Sequence, residues 1–157
     1  ENVDDPLRLN NIIKALNKTQ RTILFPIHPR TQKALDKPNT KLRKNIRPTK
    51  PLGYIEMLRL IKDARIVITD SGGVQKEAFW SKTPCVTVRA NTEWVETLEQ
   101  GVNGLVGSSS LPKPETILKG IQETDDHYEG IKKRFRTNPF GQGDASKGIV
   151  EIIQDFL

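Results

Sequence analysis

The sequence predicts a doubly wound α/β domain, a parallel sheet with helices on both faces. Three observations carry that prediction. Short apolar runs alternate with segments of helical periodicity. The runs are apolar throughout rather than alternating, as in strands covered on both faces. The strongest run, Arg65 to Thr69, leads directly into Asp70, Ser71, Gly72 and Gly73, and in such sheets ligands bind beyond the C-terminal ends of the strands.

The elements follow in order. Asp5 and Pro6 start a first helix, a capping carboxylate followed by a residue suited to the first turn, with Leu9, Ile12, Ile13 and Leu16 at helical spacing. Thr22 to Ile27 is an apolar strand and Gln32 to Asp36 a second helix. The basic, proline-bearing stretch from Lys37 to Pro51 is expected to be a loop with one short strand near Asn45 to Arg47. A helix spans Gly53 to Asp63, with Ile55, Leu58 and Ile61 on one side. After the strand ending at Thr69, a helix begins at Val74 and runs toward Trp80. Cys85 to Arg89 is a strand, Glu93 to Gln100 a short helix stopped by Gly101, and Gly104 to Gly107 a minimal strand. Helices follow at Pro114 to Glu123 and around His127 to Phe135. Then come a turn at Asn138 to Gly143 and a terminal helix over 144–157, capped by Asp144 and carrying Ile149, Val150, Ile153 and Phe156.

Composition narrows the classes. A chain of 157 residues, 35% hydrophobic and 28% charged, is enough for one compact domain over 1–157 with a real core. The lone Cys85 excludes a disulfide framework and paired-cysteine zinc sites, so a reducing, cytoplasmic setting is expected. No apolar stretch approaches the roughly 20 residues that span a bilayer, so no membrane partner is expected. The net charge of +6 is concentrated in Lys33 to Lys50 and in Lys132, Lys133, Arg134 and Arg136. Without interleaved aromatics or an RNA-recognition signature these clusters do not point to nucleic acid, whereas a basic domain suits a small anionic ligand. The chain starts on a helix cap without an initiator Met, which raises the expectation of a longer parent protein lacking here its first strand and N-terminal domain.

Chemistry concentrates after Thr69. Paired glycines permit positive φ and close approach of a ligand. A following helix offers free N–H groups and the positive end of its dipole, and Ser71 adds a hydroxyl. Glu77 follows in that helix, and a carboxylate can accept both hydroxyls of a ribose. Phosphate donors followed by a ribose acceptor describe a nucleotide diphosphate site. On spacing alone a plain turn with a solvated Glu77 fits as well.

The run Thr69, Asp70, Ser71, Gly72, Gly73, Val74, Gln75, Lys76, Glu77, Ala78 resembles the signature of the non-hydrolysing UDP-N-acetylglucosamine 2-epimerases. Similar segments follow at Lys82 to Pro84, Val86 to Arg89, Thr92 and Glu93, Glu96, Gly101 and Asn103 to Gly107. His28 to Thr31, Pro51 to Tyr54 and Asn138 to Gly143 also resemble that family. The resemblance implies the C-terminal Rossmann-like half of a two-domain, glycosyltransferase-B type enzyme. Its active site would lie between the halves and its catalytic carboxylates in the N-terminal one, which leaves no catalytic residue in this chain. Glu1 and Asn2 resemble the end of a motif whose histidine precedes them.

The family's chemistry implies loss of UDP across C1 and C2 of the sugar, then its return after reprotonation on the other face, with no metal and no cofactor, since the nucleotide itself is the leaving group. Ser71, Gly72, Gly73 and Glu77 map onto UDP-contacting positions, and Leu52 and Met57 onto positions that frame the uracil. Arg89, Trp94, Glu93 and His28 are further ligand-site candidates. Arg89 is equally readable as a structural ion-pair partner, and His28 as a structural loop histidine. Many family members carry arginine where this chain has Trp94. Trp94, Val95 and Glu96 resemble a subgroup that includes epimerases of UDP-2,3-diacetamido-glucuronate, and the donor domain of a glycosyltransferase is a further alternative. The implied partners are a UDP-sugar, the N-terminal domain and a second copy in a homodimer. Cys85 is read as a core residue, His127 as a surface one, and Asp70 as a residue that orients the loop or caps the helix.

Overall fold

A computed structural model describes residues 2–36, 40–108 and 110–156. Glu1, the start of the basic loop at Lys37 and the terminal Leu157 lie outside the described residues. The elements are α1 (Pro6–Asn17), β1 (Ile23–Pro26), α2 (Pro29–Leu35), β2 (Ile46–Thr49), α3 (Tyr54–Asp63), β3 (Val67–Thr69), α4 (Gly72–Trp80), β4 (Cys85–Thr87), α5 (Val95–Glu99), β5 (Asn103–Leu105), α6 (Pro114–Asp126), α7 (Tyr128–Lys132) and α8 (Ala145–Asp155). All strand pairs are parallel, in the order β1-β2 and β3-β4-β5.

Helices cover the strands from both sides because side chains alternate along them. Val86, fully buried, joins Leu9, Ile13 and Leu16 of α1 and Ile117 and Ile121 of α6 in the larger core, to which β1 and β2 contribute Phe25 and Ile46. Val67 and Cys85 point the other way and meet Ile61 of α3 and Ala78 of α4. Burial pushes the Cys85 thiol up to about 12, so it is an inert core group.

Element identity follows the sequence reading, with shifts at the ends that have local causes. The Asp5 carboxylate accepts from the backbone N–H groups of Leu7 and Arg8, as expected of a cap. The second helix starts at Pro29, three residues earlier than predicted, because His28 Nδ1 accepts from Arg30 N at 3.2 Å and caps it. The strand expected near Asn45 to Arg47 runs Ile46–Thr49. The helix predicted from Val74 starts at Gly72. Gly101, at φ +63°, ends the α5 segment as predicted, while Asp144 stands at the N-cap of α8 without a side-chain capping bond. The stripe Ile149, Val150, Ile153 and Phe156 on α8 is exposed.

The N-terminal ends of the strands are pinned by one carboxylate. Asp125, near the end of α6, accepts from Arg21 Nε at 2.7 Å and Arg65 Nε at 2.5 Å, and Arg65 also lies 4.1 Å over the Tyr128 ring. The Arg21 and then the Arg65 guanidinium hold the Asp125 carboxyl below its usual range. The folded carboxyl is thus more acidic than the unfolded one. Its stabilisation is complete above roughly pH 5 and disappears as pH falls through the folded value, where both states are protonated. Both arginines are largely exposed, which screens the pair. Asp125→Ala is expected to lower Tm by about 3 °C at neutral pH, and the difference should vanish in a thermal melt near pH 2.

Candidate functional site

Five loops leave the C-terminal ends of the parallel strands and converge on one edge of the fold: His28 after β1, Leu52 after β2, Asp70 to Gly73 after β3, Val88 to Glu93 after β4 and Gly107 after β5. Backbone bonds continue the ladder into these loops, from Val88 N to Thr69 O (2.8 Å), Val106 N to Thr87 O (2.9 Å) and Gly107 N to Arg89 O (3.1 Å).

Ser71 is the N-cap of α4; its Oγ accepts from Val74 N at 3.5 Å, and its own N–H donates to Thr69 Oγ1 at 3.0 Å. Gly72 and Gly73 are the first two helical residues. Neither uses the positive φ that glycine permits, because the capped helix begins one residue after Ser71. The two glycines have different surroundings. A Cβ at Gly72 would lie 3.4 Å from Trp94 Nε1, 3.5 Å from Glu93 Oε2 and 3.9 Å from Arg89 Nη1, so this glycine makes room for the strap 89–94. At Gly73 the nearest atom would be Ser71 Oγ, 3.9 Å away, on an exposed terminus open to a ligand. The N–H groups of such a first turn have no intrahelical acceptors and are suited to an anion.

Glu77 is half-buried further along α4, and its carboxylate has no hydrogen-bond or ion-pair partner among the described residues. The neighbouring α3 carries Met57, which packs beside Val74 against the Val67–Ala78 core, while Leu52 precedes the helix with its side chain partly exposed. Ser71, Gly73, Glu77, Leu52 and Met57 therefore belong to two adjacent helix starts. His28 is not drawn into this group: it is exposed and caps α2.

The strap after β4 is built on ion pairing. Arg89 makes a two-pronged pair with Glu93 (2.9 and 3.0 Å), and this guanidinium holds the Glu93 carboxyl below the usual range. Trp94 turns inward, its indole Nε1–H donating to Gly72 O at 2.8 Å. Beside Asp70 the edge opens into a polar cavity of about 240 Å³ lined by Asn2, Arg8, Asp70, Val88, Arg89, Ala90 and Ser108. Asn2 Nδ2 donates to Val88 O (2.8 Å) and Asp70 Oδ2 (3.1 Å), so Asp70 orients a neighbouring loop. Ser71, Gly73 and Glu77 are not in its wall.

Two groups escaped the sequence reading. Gln75 is 1% exposed; its Oε1 accepts from Thr92 Oγ1 (2.6 Å) and Asn103 Nδ2 (3.3 Å), and Asn103 also ties Thr87 (2.8 Å) to Thr97 (3.2 Å). This buried network locks α4 to the strap and to β5. Its signal was present: Gln75 stands three and four residues before the buried Ala78 and Phe79, on the inward stripe of its helix. The second group is Asn2 with Arg8: Asn2 was read only as the end of a family motif, and Arg8 left no local trace. Among the described residues, no cluster of three or more His, Cys, Asp or Glu is placed to hold a metal, and no helix is long and apolar enough to cross a membrane.

Parallel strands clothed in helices on both sides, with the site on their C-terminal edge, define a Rossmann-like α/β domain of the glycosyltransferase-B type. The glycosyltransferase VinC in complex with dTDP shares that fold at TM-score 0.59 and 14% identity. Family comparison is more specific: the UDP-N-acetylglucosamine 2-epimerase family model matches residues 1–154, and the chain belongs to that family. It is 42% identical over 161 residues to the UDP-N-acetylglucosamine 2-epimerase of Methanocaldococcus jannaschii, covering 98% of this chain and 42% of that protein. It is 46% identical over 137 residues to the UDP-2,3-diacetamido-2,3-dideoxy-D-glucuronate 2-epimerase of Pseudomonas aeruginosa, covering 83% and 38%. The crystal structure of the Methanocaldococcus jannaschii enzyme in complex with UDP-GlcNAc and UDP superposes at TM-score 0.83 with 41% identity, again over 98% of this chain and 42% of that one. The chain thus spans about two-fifths of the length of these relatives.

Proposed function

We propose that this chain is the UDP-binding domain of a UDP-N-acetylglucosamine 2-epimerase, interconverting UDP-GlcNAc and UDP-ManNAc together with an N-terminal domain. The observation that carries the reading is the α4 terminus, where Ser71 caps the helix, Gly73 leaves its N–H groups open and Glu77 offers a carboxylate without a partner among the described residues. Such a terminus is suited to the diphosphate, Glu77 to the ribose hydroxyls, and Leu52 and Met57 to the uracil side.

In the proposed reaction a proton leaves C2 and the C1–O bond to UDP breaks, giving a 2-acetamidoglucal and UDP. A proton then returns to the opposite face of C2 and the UDP oxygen re-adds at C1. The residues of this chain hold UDP throughout, so the leaving group is still present to return. Proton transfer falls to the N-terminal domain, and the chain alone is expected to be inactive.

Calorimetric titration of the chain with UDP tests the binding role. Saturable heat is the expected result, and none at millimolar UDP would sink the reading. The full-length protein incubated with UDP-GlcNAc alone should produce UDP-ManNAc, which a glycosyltransferase would not. A second reading, epimerisation of UDP-2,3-diacetamido-glucuronate, draws on the 46% identity to the Pseudomonas aeruginosa protein. Offering the full-length protein each sugar nucleotide separately decides between them by kcat/KM.

A further inference from the structure

Lys76 stands at the middle of α4, one turn beyond Gly72. Its ammonium is enclosed by aromatic rings: 4.3 Å from the centroid of Trp94, 4.9 Å from Phe140 and 5.0 Å from Trp80. The rings come from three separate segments, the end of α4, the strap before α5 and the turn around Asn138 to Gly143. Phe140 stands edge-on to both Trp80 (6.3 Å) and Trp94 (5.8 Å), so the three form one assembly. Attraction of the cation to the ring faces offsets the lost hydration.

Trp94 is the only member of this assembly tied to the mouth of α4. Its Nε1–H donates to Gly72 O at 2.8 Å, its backbone N–H to Thr92 Oγ1 at 3.1 Å, and its carbonyl accepts from Thr97 Oγ1 at 2.7 Å. The indole is therefore held along the chain and across it. Thr92 in turn bonds Gln75, one residue before Lys76.

We propose that Trp94 is a positioning residue for the nucleotide diphosphate: its indole N–H sets the direction of the first turn of α4, and its ring, with Trp80 and Phe140, retains the Lys76 ammonium beside that terminus. The proposal rests on the reading of α4 as the diphosphate site. Trp94 touches no ligand in this role. It fixes where the free N–H group of Gly73 points, and it keeps a cation close to an anion-binding turn.

The test is UDP titration of the wild-type chain, Trp94→Phe and Lys76→Met. Phenylalanine keeps a ring for Lys76 but removes the N–H; methionine keeps the stem but removes the charge. Each is expected to weaken UDP binding about fivefold, the size of one net hydrogen bond or cation–ring contact. In a Trp80→Phe background Trp94 is the sole tryptophan, since the chain has two, and saturating UDP should shift its emission. A purely structural Trp94 would lower Tm while leaving UDP affinity and emission unchanged, and that outcome overturns the proposal. If Trp94→Phe does not fold, Lys76→Met and the emission measurement decide in the same way. A wild-type chain that takes up no UDP instead overturns the nucleotide reading itself.

Discussion

Glu77→Ala is expected to weaken UDP binding about thirtyfold, the worth of roughly 2 kcal/mol for a carboxylate accepting from two hydroxyls. Stability should hardly change. The Glu77 side chain is half-buried and has no partner among the described residues, so removing it breaks no bond among them and leaves no donor stranded. Calorimetry should therefore show a large fall in affinity beside an unaltered thermal melt. Glu77→Gln should fall between, because an amide oxygen can accept one hydroxyl while its NH₂ opposes the other. Equal affinities for the wild type and Glu77→Ala would remove Glu77 from the site and leave α4 with a phosphate role at most.

Gly107→Ala is the substitution with the largest expected effect on the fold. Gly107 follows β5, where its N–H donates to Arg89 O at 3.1 Å. An added Cβ would lie 2.5 Å from Arg89 N and Cα, and closer still to its carbonyl carbon. These are backbone atoms of an adjacent segment, so no rotamer change relieves the overlap. The two loops must part, losing the bond between them and moving Arg89 in the wall of the cavity. A cost of about 2–3 kcal/mol follows from such overpacking, which lowers Tm by about 8 °C. A melt within about 2 °C of wild type would show that the segments separate more easily than close packing allows. The reason for glycine here is space rather than torsion, since Gly107 is not among the glycines with positive φ.

These two residues mark different limits of sequence reading. Glu77 was legible, because the spacing from Ser71 and the family signature lie within one continuous run. Gly107 was legible only as part of a matching segment, since what it meets is eighteen residues away in the chain. Gly72 shows the same division within a single motif: as one of two adjacent glycines it suggests a flexible turn, but its structural constraint comes from Trp94, Glu93 and Arg89. Arg89 was open between a ligand role and an ion pair, and in the structure it pairs with Glu93.

The sequence by itself determined the order of elements, the parallel α/β class, the cap at Asp5, the stop at Gly101 and the placement of an anion-suited terminus after β3. These depend on apolar periodicity and on bonds spanning a few residues, which a linear reading can count. Tertiary structure alone decided that Gln75 joins Thr92 and Asn103 in a buried network, that Asn2 reaches Asp70 and Val88, and that Trp94 seats on Gly72 while enclosing Lys76. Each requires segments distant in the chain to meet, and their geometry is set by how helices pack on the sheet. Local composition carries no measure of that packing.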